Sequence, residues 1–394
     1  MEFPLLNKDM SAEFDLRVEK TTRAMKEAKA DALLVTASVN IFYLAGGVFR
    51  GYIYLTPGRR PAIFMIPPAE CDNQMVSAIR KPEQIASMLT DAGYPAPRRL
   101  ALEADDLTYS EVERLARIWP DAEMVNGSAI LRAARLQKTD YELKLMRDDG
   151  RRQSAVYENI RHCYQEGMSD VELQIEIERL LRREGCLGYL RAAGSRMEIN
   201  LGSVIAGPNA DVPSPYDFSM GGAGVDPSLP VGADGTILKT GMSVMVDMNG
   251  GFNGYQTDMT RCWSVGSLPQ KAVDAHECSR AILRDLEKYA VPGREISELY
   301  NRARRLADDA GLRDFYMGHR HKVSFIGHGV GIELNEAPVI MERNKSLLKE
   351  NMTIAIEPKF VIPEVGAVGV ENTYIVTPSG LENITPLRED LQEL

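Results

Sequence analysis

The sequence predicts a two-domain α/β (α+β) protein, and three observations carry that prediction. At 394 residues the chain has room for two or three domains of about 150 residues each. Up to about residue 135, short apolar runs alternate with amphipathic stretches, the pattern of a sheet covered by helices. Beyond that point a helix–helix–strands order occurs twice, a faint two-fold echo with no shorter repeat inside it.

The elements follow in order. Residues 12–30 (AEFDLRVEKTTRAMKEAKA) place their apolar positions on one helical face. ADALLVTA (30–37), NIFYLAG (40–46), YIYLTPG (52–58) and PAIFMIP (61–67) read as short strands, some of them joined by turns. Residues 80–93 read as helix, LALEAD (100–105) as strand and 108–118 as helix, which closes a first unit over 1–135. The second unit, 136–394, opens with a helix over 139–163, with Thr139 and Asp140 at its N-terminus. A helix over 169–184 follows, and Ser169 and Glu172 have capping-box spacing. From 198 to 266 the pattern is β, broken by a Gly/Pro-rich stretch, 207–235, whose length marks it as a functional or mobile loop. Helices return over 268–290 and 295–311, and MTIAIEPKFVI and AVGVENTYIVT read as strands.

Composition sets the outer limits. At 44% hydrophobic and 26% charged, the chain is ordinary globular material with enough apolar residues for a core that needs no staple. A net charge of −10 argues against nucleic acid or an anionic membrane as the main partner, since both need clustered Lys and Arg. The five cysteines (Cys71, Cys163, Cys186, Cys262, Cys278) are scattered, with no C-x-x-C, which suits reduced thiols and a cytoplasmic location. The N-terminal stretch lacks a basic segment followed by an apolar one, and no apolar run reaches about 18 residues, so neither a signal peptide nor a membrane span is expected.

Chemistry concentrates in the second unit. MVDMNGGFNGYQTDMTRC (245–262) reads as two strands joined by a Gly-rich turn, yet it carries Asp247 and Asp258. IGHGVGIELNEAP (326–338) sets His328 between two glycines, IAIEPKF puts Glu357 at the end of an apolar strand, and VGVENTYIV puts Glu371 inside another. Each alone reads as an edge, turn or strand-end residue. Together they are five ligand-type side chains in places where bare carboxylates are costly. Gathered in space, they would either protonate or recruit cations. Only Arg261 and Lys359 lie within a few residues of any of them, so metal ions are the economical expectation. Four carboxylates and one imidazole favour hard divalent ions such as manganese, iron or cobalt over a thiolate-type zinc site.

The string V-D-x-N-G…G-Y-x-T-D-M-T-R, then G-H-G-V-G-x-E, E-P and V-E-N-T, resembles the signature of the creatinase/prolidase/methionine-aminopeptidase superfamily, the pita-bread metallohydrolases. RLQKTDYELKLMR (135–147) is similar to that family's domain junction. The resemblance implies a creatinase-like α/β domain over 1–135 and a pita-bread catalytic domain over 136–394, built from two pseudo-symmetric ααββ halves. It implies a dinuclear site holding two divalent ions, with manganese expected first and cobalt, iron or zinc as alternatives. Asp247, Asp258, His328, Glu357 and Glu371 would be the ligands, Asp258 and Glu371 bridging, with His328 and Glu357 also catalytic and Glu357 the proton shuttle. Two ions about 3.5–4 Å apart can hold a bridging hydroxide near neutral pH, a nucleophile for an amide carbonyl. The expected activity is that of an Xaa-Pro peptidase, of prolidase or aminopeptidase P type, acting on small peptides as a homodimer.

The chain also departs from the family pattern. Ser214, in AGPNADVPSPYD, and Asn335, in GHGVGIELNEAP, stand where the proline-specific peptidases carry histidines, and Gly369 stands where prolidases carry an arginine for a substrate carboxylate. Asn335, Ser214 and Tyr216 are the substrate-binding candidates, since an amide or hydroxyl can still donate to a carbonyl oxygen. Losing one such donor costs about 10²–10³ in rate. These departures keep open a second reading, an enzyme acting on a small non-peptide amide or zwitterion as hydrolase or lyase, and a third, a binding protein that kept the fold. The segment 215–240 reads either as part of the substrate mouth or as a passive insertion. Cys262 reads as core. GGAG (221–224) lacks the Lys-Ser/Thr and helix of a phosphate loop. Phe42, Tyr43, Phe49, Tyr52 and Tyr54 read as core or as the lining of a partner subunit's pocket.

Overall fold

The computed structural model describes residues 3–194, 200–216 and 218–394, so the start of the predicted β region, 198–199, lies outside the described residues. The chain divides into two compact units, Met1–Arg135 and Leu136–Leu394.

The first unit runs α1 (Ser11–Glu27), β1 (Ala32–Val35), α2 (Ser38–Ala45), β2 (Gly51–Leu55), β3 (Ala62–Met65), β4 (Val76–Ala78), α3 (Ile85–Asp91), β5 (Arg99–Leu102), α4 (Tyr109–Ala116), β6 (Glu123–Asn126) and α5 (Ser128–Arg135). Its strands form one mixed sheet in the order β4-β3-β2-β1-β5-β6. The central strand β1 is buried along its whole length, as its unbroken ALLV run requires. NIFYLAG is not a strand: it forms α2. An apolar run this short has no decisive period. Local chemistry settles the matter: buried Glu103 accepts from the N–H groups of Thr36 and Ala37 and from Asn40 Nδ2 at the helix start. Gly46, at φ +74°, closes the helix with its N–H on Phe42 O. β4, β6 and α5 were not foreseen; the two strands are short and half-exposed, so little apolar pattern marks them. Tyr43, Phe49 and Tyr54 are core residues of this unit.

The second unit begins with α6 (Asp140–Tyr157) and α7 (Asp170–Arg183), opened by the reciprocal capping boxes Thr139–Glu142 and Ser169–Glu172. The helix expected over 139–163 stops at Tyr157 and gives way to a short 3₁₀ turn, Ile160–Cys163. Then come β7 (Gly202–Ala206), β8 (Ser243–Met248) and β9 (Thr260–Ser264). A second pair of helices, α8 (Gln270–Tyr289) and α9 (Ile296–Asp309), leads to β10 (Gly327–Gly329), β11 (Thr353–Ile356), β12 (Lys359–Ile362), β13 (Gly366–Gly369), β14 (Asn372–Thr377), β15 (Gly380–Asn383) and β16 (Gln392–Glu393). The sheets are β16-β9-β8-β7 and β10-β11-β14-β15, with β12–β13 a hairpin between. The sequence echo is thus a repeat of architecture: two helices followed by antiparallel strands, twice, with the C-terminal β16 added to the first sheet parallel to β9.

Each half has its own apolar core. Val156, Leu173, Ile177, Val246 and Trp263 fill the first, and Ile282, Leu299, Ala303, Ile354 and Val376 the second. A smaller cluster, including Ile205, Met245, Cys262, Val361 and Ala367, joins the first sheet to the β12–β13 hairpin. Cys262 is core, and burial pushes its thiol up to about 12, which leaves it unreactive. Among the described residues no helix is long and apolar enough to cross a membrane.

Candidate metal centre

The two sheets and the hairpin converge on the five ligand-type side chains. Asp247 sits near the end of β8, paired with Thr260 of β9, and Asp258 lies two residues before β9. Tyr157 of α6 ties the two ends together, since its hydroxyl accepts from Met248 N–H and donates to Met259 O. Thr373 of β14 clamps the backbone of Asp258: its hydroxyl accepts from Asp258 N–H and donates to Asp258 O, both at 2.8 Å. Glu371, just before β14, donates its N–H to Thr260 O, so the last carboxylate is stitched to the first sheet.

His328 comes from β10, opposite Ala355 of β11. Its Nδ1 lies 3.1 Å from Gly329 O. A carbonyl only accepts, so Nδ1 carries a proton and Nε2 is the nitrogen turned toward the cluster. Nε2 faces Asp258 Oδ2 at 3.6 Å and Glu357 Oε1 at 3.8 Å. These spacings are too long for hydrogen bonds and bring three potential ligand atoms together. Glu371 adds a fourth: its Oε1 is buried without a hydrogen-bond partner among the described residues, while Oε2 accepts from Thr260. Donor atoms of Asp258, His328 and Glu371 lie within 4.8 Å of one another. A buried, unpartnered carboxylate oxygen beside an imidazole nitrogen fits a hard divalent cation.

The other half of the cluster has a cation in common already. Donor atoms of Asp247, Glu357 and Glu371 also lie within 4.8 Å of one another. The Nζ of fully buried Lys359 donates to Asp247 Oδ2 at 2.7 Å, Glu357 Oε2 at 2.7 Å and Glu371 Oε2 at 3.1 Å, with Ser219 Oγ at 3.0 Å. The expectation that metal ions alone neutralise these carboxylates therefore needs correction for three of them. The reason is local. In a strand, residues two apart share a face, so Glu357 and Lys359 project together across Pro358. That spacing in IAIEPKF was the signal in the sequence.

The electrostatics agree. Burial first, then the charges of Asp247 and Glu357, push the Asp258 carboxyl well above the usual range. Burial, then Asp258 and Glu357, do the same to Glu371. Burial alone would lower Lys359, but Asp247, Glu357 and Glu371 outweigh it and hold the ammonium well above the ordinary lysine value. One lysine does not offset four carboxylates; protons on Asp258 and Glu371 or a further cation on the His328 side make up the difference.

A cavity of about 190 Å³ opens onto the cluster, with Asp247, Asp258, His328 and Glu357 in its wall. Its remaining lining is largely apolar, including Leu190, Leu201, Phe218, Met220 and Phe325, and holds no Lys or Arg among the described residues. Phe218, Ser219 and Met220 belong to the long 215–240 segment, which therefore shapes this mouth. Asn335 is also in the wall; its Oδ1 accepts from Ala193 N–H at 2.6 Å, while Nδ2 has only a 3.5 Å contact to Ala193 O. The structure does not bring Ser214 and Tyr216 to this cavity. They line a smaller neighbouring one with His319 and His321. Ser214 Oγ there accepts from Tyr216 N–H in a local turn.

The fold and site together define a carboxylate-rich metallohydrolase of pita-bread architecture. Residues 144–378 match metallopeptidase family M24, and residues 17–137 match the creatinase/prolidase N-terminal domain. The chain belongs to the M24 family of metallopeptidases, within the creatinase/prolidase superfamily. Among its relatives, the Xaa-Pro dipeptidase of Pyrococcus furiosus is 25% identical, over 95% of this chain and 99% of that one. A putative dipeptidase of Bacillus subtilis, YkvY, is 26% identical, over 95% and 99%. Among solved structures, the Xaa-Pro dipeptidase from Bacillus anthracis superposes with a TM-score of 0.80 at 23% identity, covering 97% of this chain and all of that one. The X-Pro aminopeptidase from Thermotoga maritima gives 0.76 at 19%, covering 96% and 99%.

Proposed function

We propose that this chain is a metal-dependent hydrolase that cleaves the peptide bond before proline in small peptides, with the second unit as its catalytic domain. The observation that carries this reading is the arrangement of His328 Nε2, Asp258 Oδ2 and Glu357 Oε1 in one wall of a small cavity, with a donor atom of buried Glu371 within 4.8 Å of those of Asp258 and His328. The Xaa-Pro dipeptidase relatives support it. A divalent ion held by Asp258, His328, Glu357 and Glu371 would polarise the scissile carbonyl and activate water for attack. Manganese is the first choice for so oxygen-rich a set, and a second ion would have to share its carboxylates with Lys359. A homodimeric assembly and a cytoplasmic location belong to the same reading.

The chain's own groups have distinct tasks in it. Glu357 takes the proton of the attacking water at a carboxylate oxygen and returns it to the leaving proline nitrogen. The Nδ1–H bond to Gly329 O keeps the imidazole of His328 in the tautomer that presents Nε2 to the cavity. Asn335 Nδ2, weakly engaged at 3.5 Å, is the candidate donor to the carbonyl oxygen as it gains charge. The apolar walls exclude water and accept a proline ring. Asp247, Asp258 and Glu357 favour a substrate ammonium.

A second reading stays in view because the lining offers no Lys or Arg to a substrate carboxylate among the described residues, and Gly369 supplies none: a small non-peptide amide or zwitterion as substrate. One panel separates the two. Xaa-Pro dipeptides and Xaa-Pro-Yaa tripeptides are assayed with protein reconstituted with Mn²⁺ or Co²⁺ and with a chelated control. Metal-dependent cleavage, faster for the tripeptides, is the expected result. No cleavage by metal-loaded protein would favour the non-peptide substrate.

A further inference from the structure

We propose that Lys359 is a built-in replacement for one of the two metal ions, so that each chain binds a single divalent ion. This rests on the metal-dependent reading above and deepens it. Four lines of geometry carry it.

The ammonium is fully engaged. It has three N–H donors and four oxygen neighbours within 3.1 Å, three of them carboxylates. An ion bound by Asp247, Glu357 and Glu371 would have to take those same oxygens from it.

The lysine has nowhere else to put its charge. Its side chain is 0% exposed, and it starts β12 with a buried neighbour on every side. Moving the ammonium out of its cage would leave it buried and unpaired, which is strongly disfavoured.

The hairpin is shaped to admit it. Gly369 lies directly opposite Lys359, and a Cβ there would come within 3.0 Å of Lys359 Cα and 3.3 Å of its Cγ. The absence of a side chain at 369 and the presence of a long one at 359 are two parts of one arrangement.

The two halves of the cluster also use different atoms. Lys359 holds the Oε2 atoms of Glu357 and Glu371. Glu357 Oε1, which faces His328, and the unpartnered Glu371 Oε1 are left for an ion. Asp247, whose Oδ2 is bound by the ammonium, becomes an anchor for the lysine. Lys359 does not line the cavity, so its part is electrostatic and structural; it positions Glu357 and does not touch substrate.

The test is metal stoichiometry, with no activity assay needed. Wild-type chain and Lys359→Ala are stripped with chelator, equilibrated with excess Mn²⁺ and freed of unbound ion. Manganese per chain is then counted by elemental analysis, and its electron paramagnetic resonance spectrum recorded. The expected result is one Mn²⁺ per wild-type chain with the six-line signal of an isolated ion. Lys359→Ala should bind two, with the broadened multiline signal of a coupled pair. Two ions in the wild type would overturn the proposal and leave the metal-dependent hydrolase standing. One ion in a folded Lys359→Ala would also overturn it, because the lysine would then not be what excludes the second. No bound manganese in the wild type would overturn both readings. If Lys359→Ala fails to fold, the wild-type count decides alone.

Discussion

Gly369 faces Lys359 across the β12–β13 hairpin at a separation that leaves no room for a Cβ. Its φ of +151° and the nearby Pro358 carbonyl, 2.8 Å from where that Cβ would lie, add to the constraint. Gly369→Ala should therefore cost about 1–3 kcal/mol of stability, as overpacked core positions do. Gly369→Arg should cost more and displace the ammonium from its three carboxylates. Urea denaturation of the two variants measures this; an alanine variant within about 0.5 kcal/mol of wild type would contradict the close approach.

Thr373 is the hinge pin of Asp258. Its hydroxyl both accepts from Asp258 N–H and donates to Asp258 O, in a fully buried setting. Thr373→Val has nearly the same shape but leaves two buried backbone groups without partners. The expected loss is about 1–3 kcal/mol of stability. Because the aspartate is then less firmly held, Mn²⁺ affinity should fall about 10–100-fold, as it does when groups behind a ligand are removed. Calorimetric titration with Mn²⁺ reads the second effect. Unchanged affinity would mean that the clamp serves the fold alone.

Asp258 should show opposed effects on stability and metal binding. Burial, then the charges of Asp247 and Glu357, raise its carboxyl well above the usual range. Asp258→Asn removes that burden, so the metal-free variant should melt at or above the wild-type temperature. It should also lose the rise in melting temperature that Mn²⁺ gives the wild type by binding only the folded state. A variant that keeps the full Mn²⁺-induced shift would remove Asp258 from the ligand set.

Much of this site was legible in the sequence because charge in an apolar strand is hard to hide. Asp247, Asp258, His328, Glu357 and Glu371 stood out by residue type against context, and their approach in space follows from strand pairing. Lys359 was visible too, two positions from Glu357 and so on the same face, but the sequence does not say whether such a lysine turns into the cluster or out to solvent. Ser219 and the paths of Ser214 and Tyr216 depend on the course of a long Gly/Pro-rich loop, which no periodicity encodes. NIFYLAG misled for a related reason. Its helical start is set by Glu103, distant in sequence, and only the Gly46 cap was local.

Asp149 of α6 gives the chain a measurable pH dependence away from the metal centre. It is buried, and burial pushes its carboxyl from 3.8 to about 7, against the lowering effect of hydrogen bonds from Phe252 N–H and Thr257. The local bonding can accommodate the protonated form. The Thr257 hydroxyl has one proton but lies within hydrogen-bond distance of both Asp149 Oδ2, at 2.9 Å, and Gln153 Oε1, at 2.8 Å. A protonated Asp149 donates to Thr257, which donates to Gln153, whose Nε2 in turn donates to Met248 O, beside Asp247. The sign follows from proton counting. Between about pH 4 and pH 7 the folded state holds a proton that the unfolded chain has released, so stability falls as pH rises through that window and is level above it. The whole effect is at most about 4 kcal/mol at 1.36 kcal/mol per pH unit. Asp149→Asn keeps the same chain of donors without a titrating proton. The variant should match wild type near pH 4 and exceed its stability at pH 8, with urea denaturation at the two pH values as the measurement. Equal stability differences at both would show that Asp149 is ionised in the folded chain.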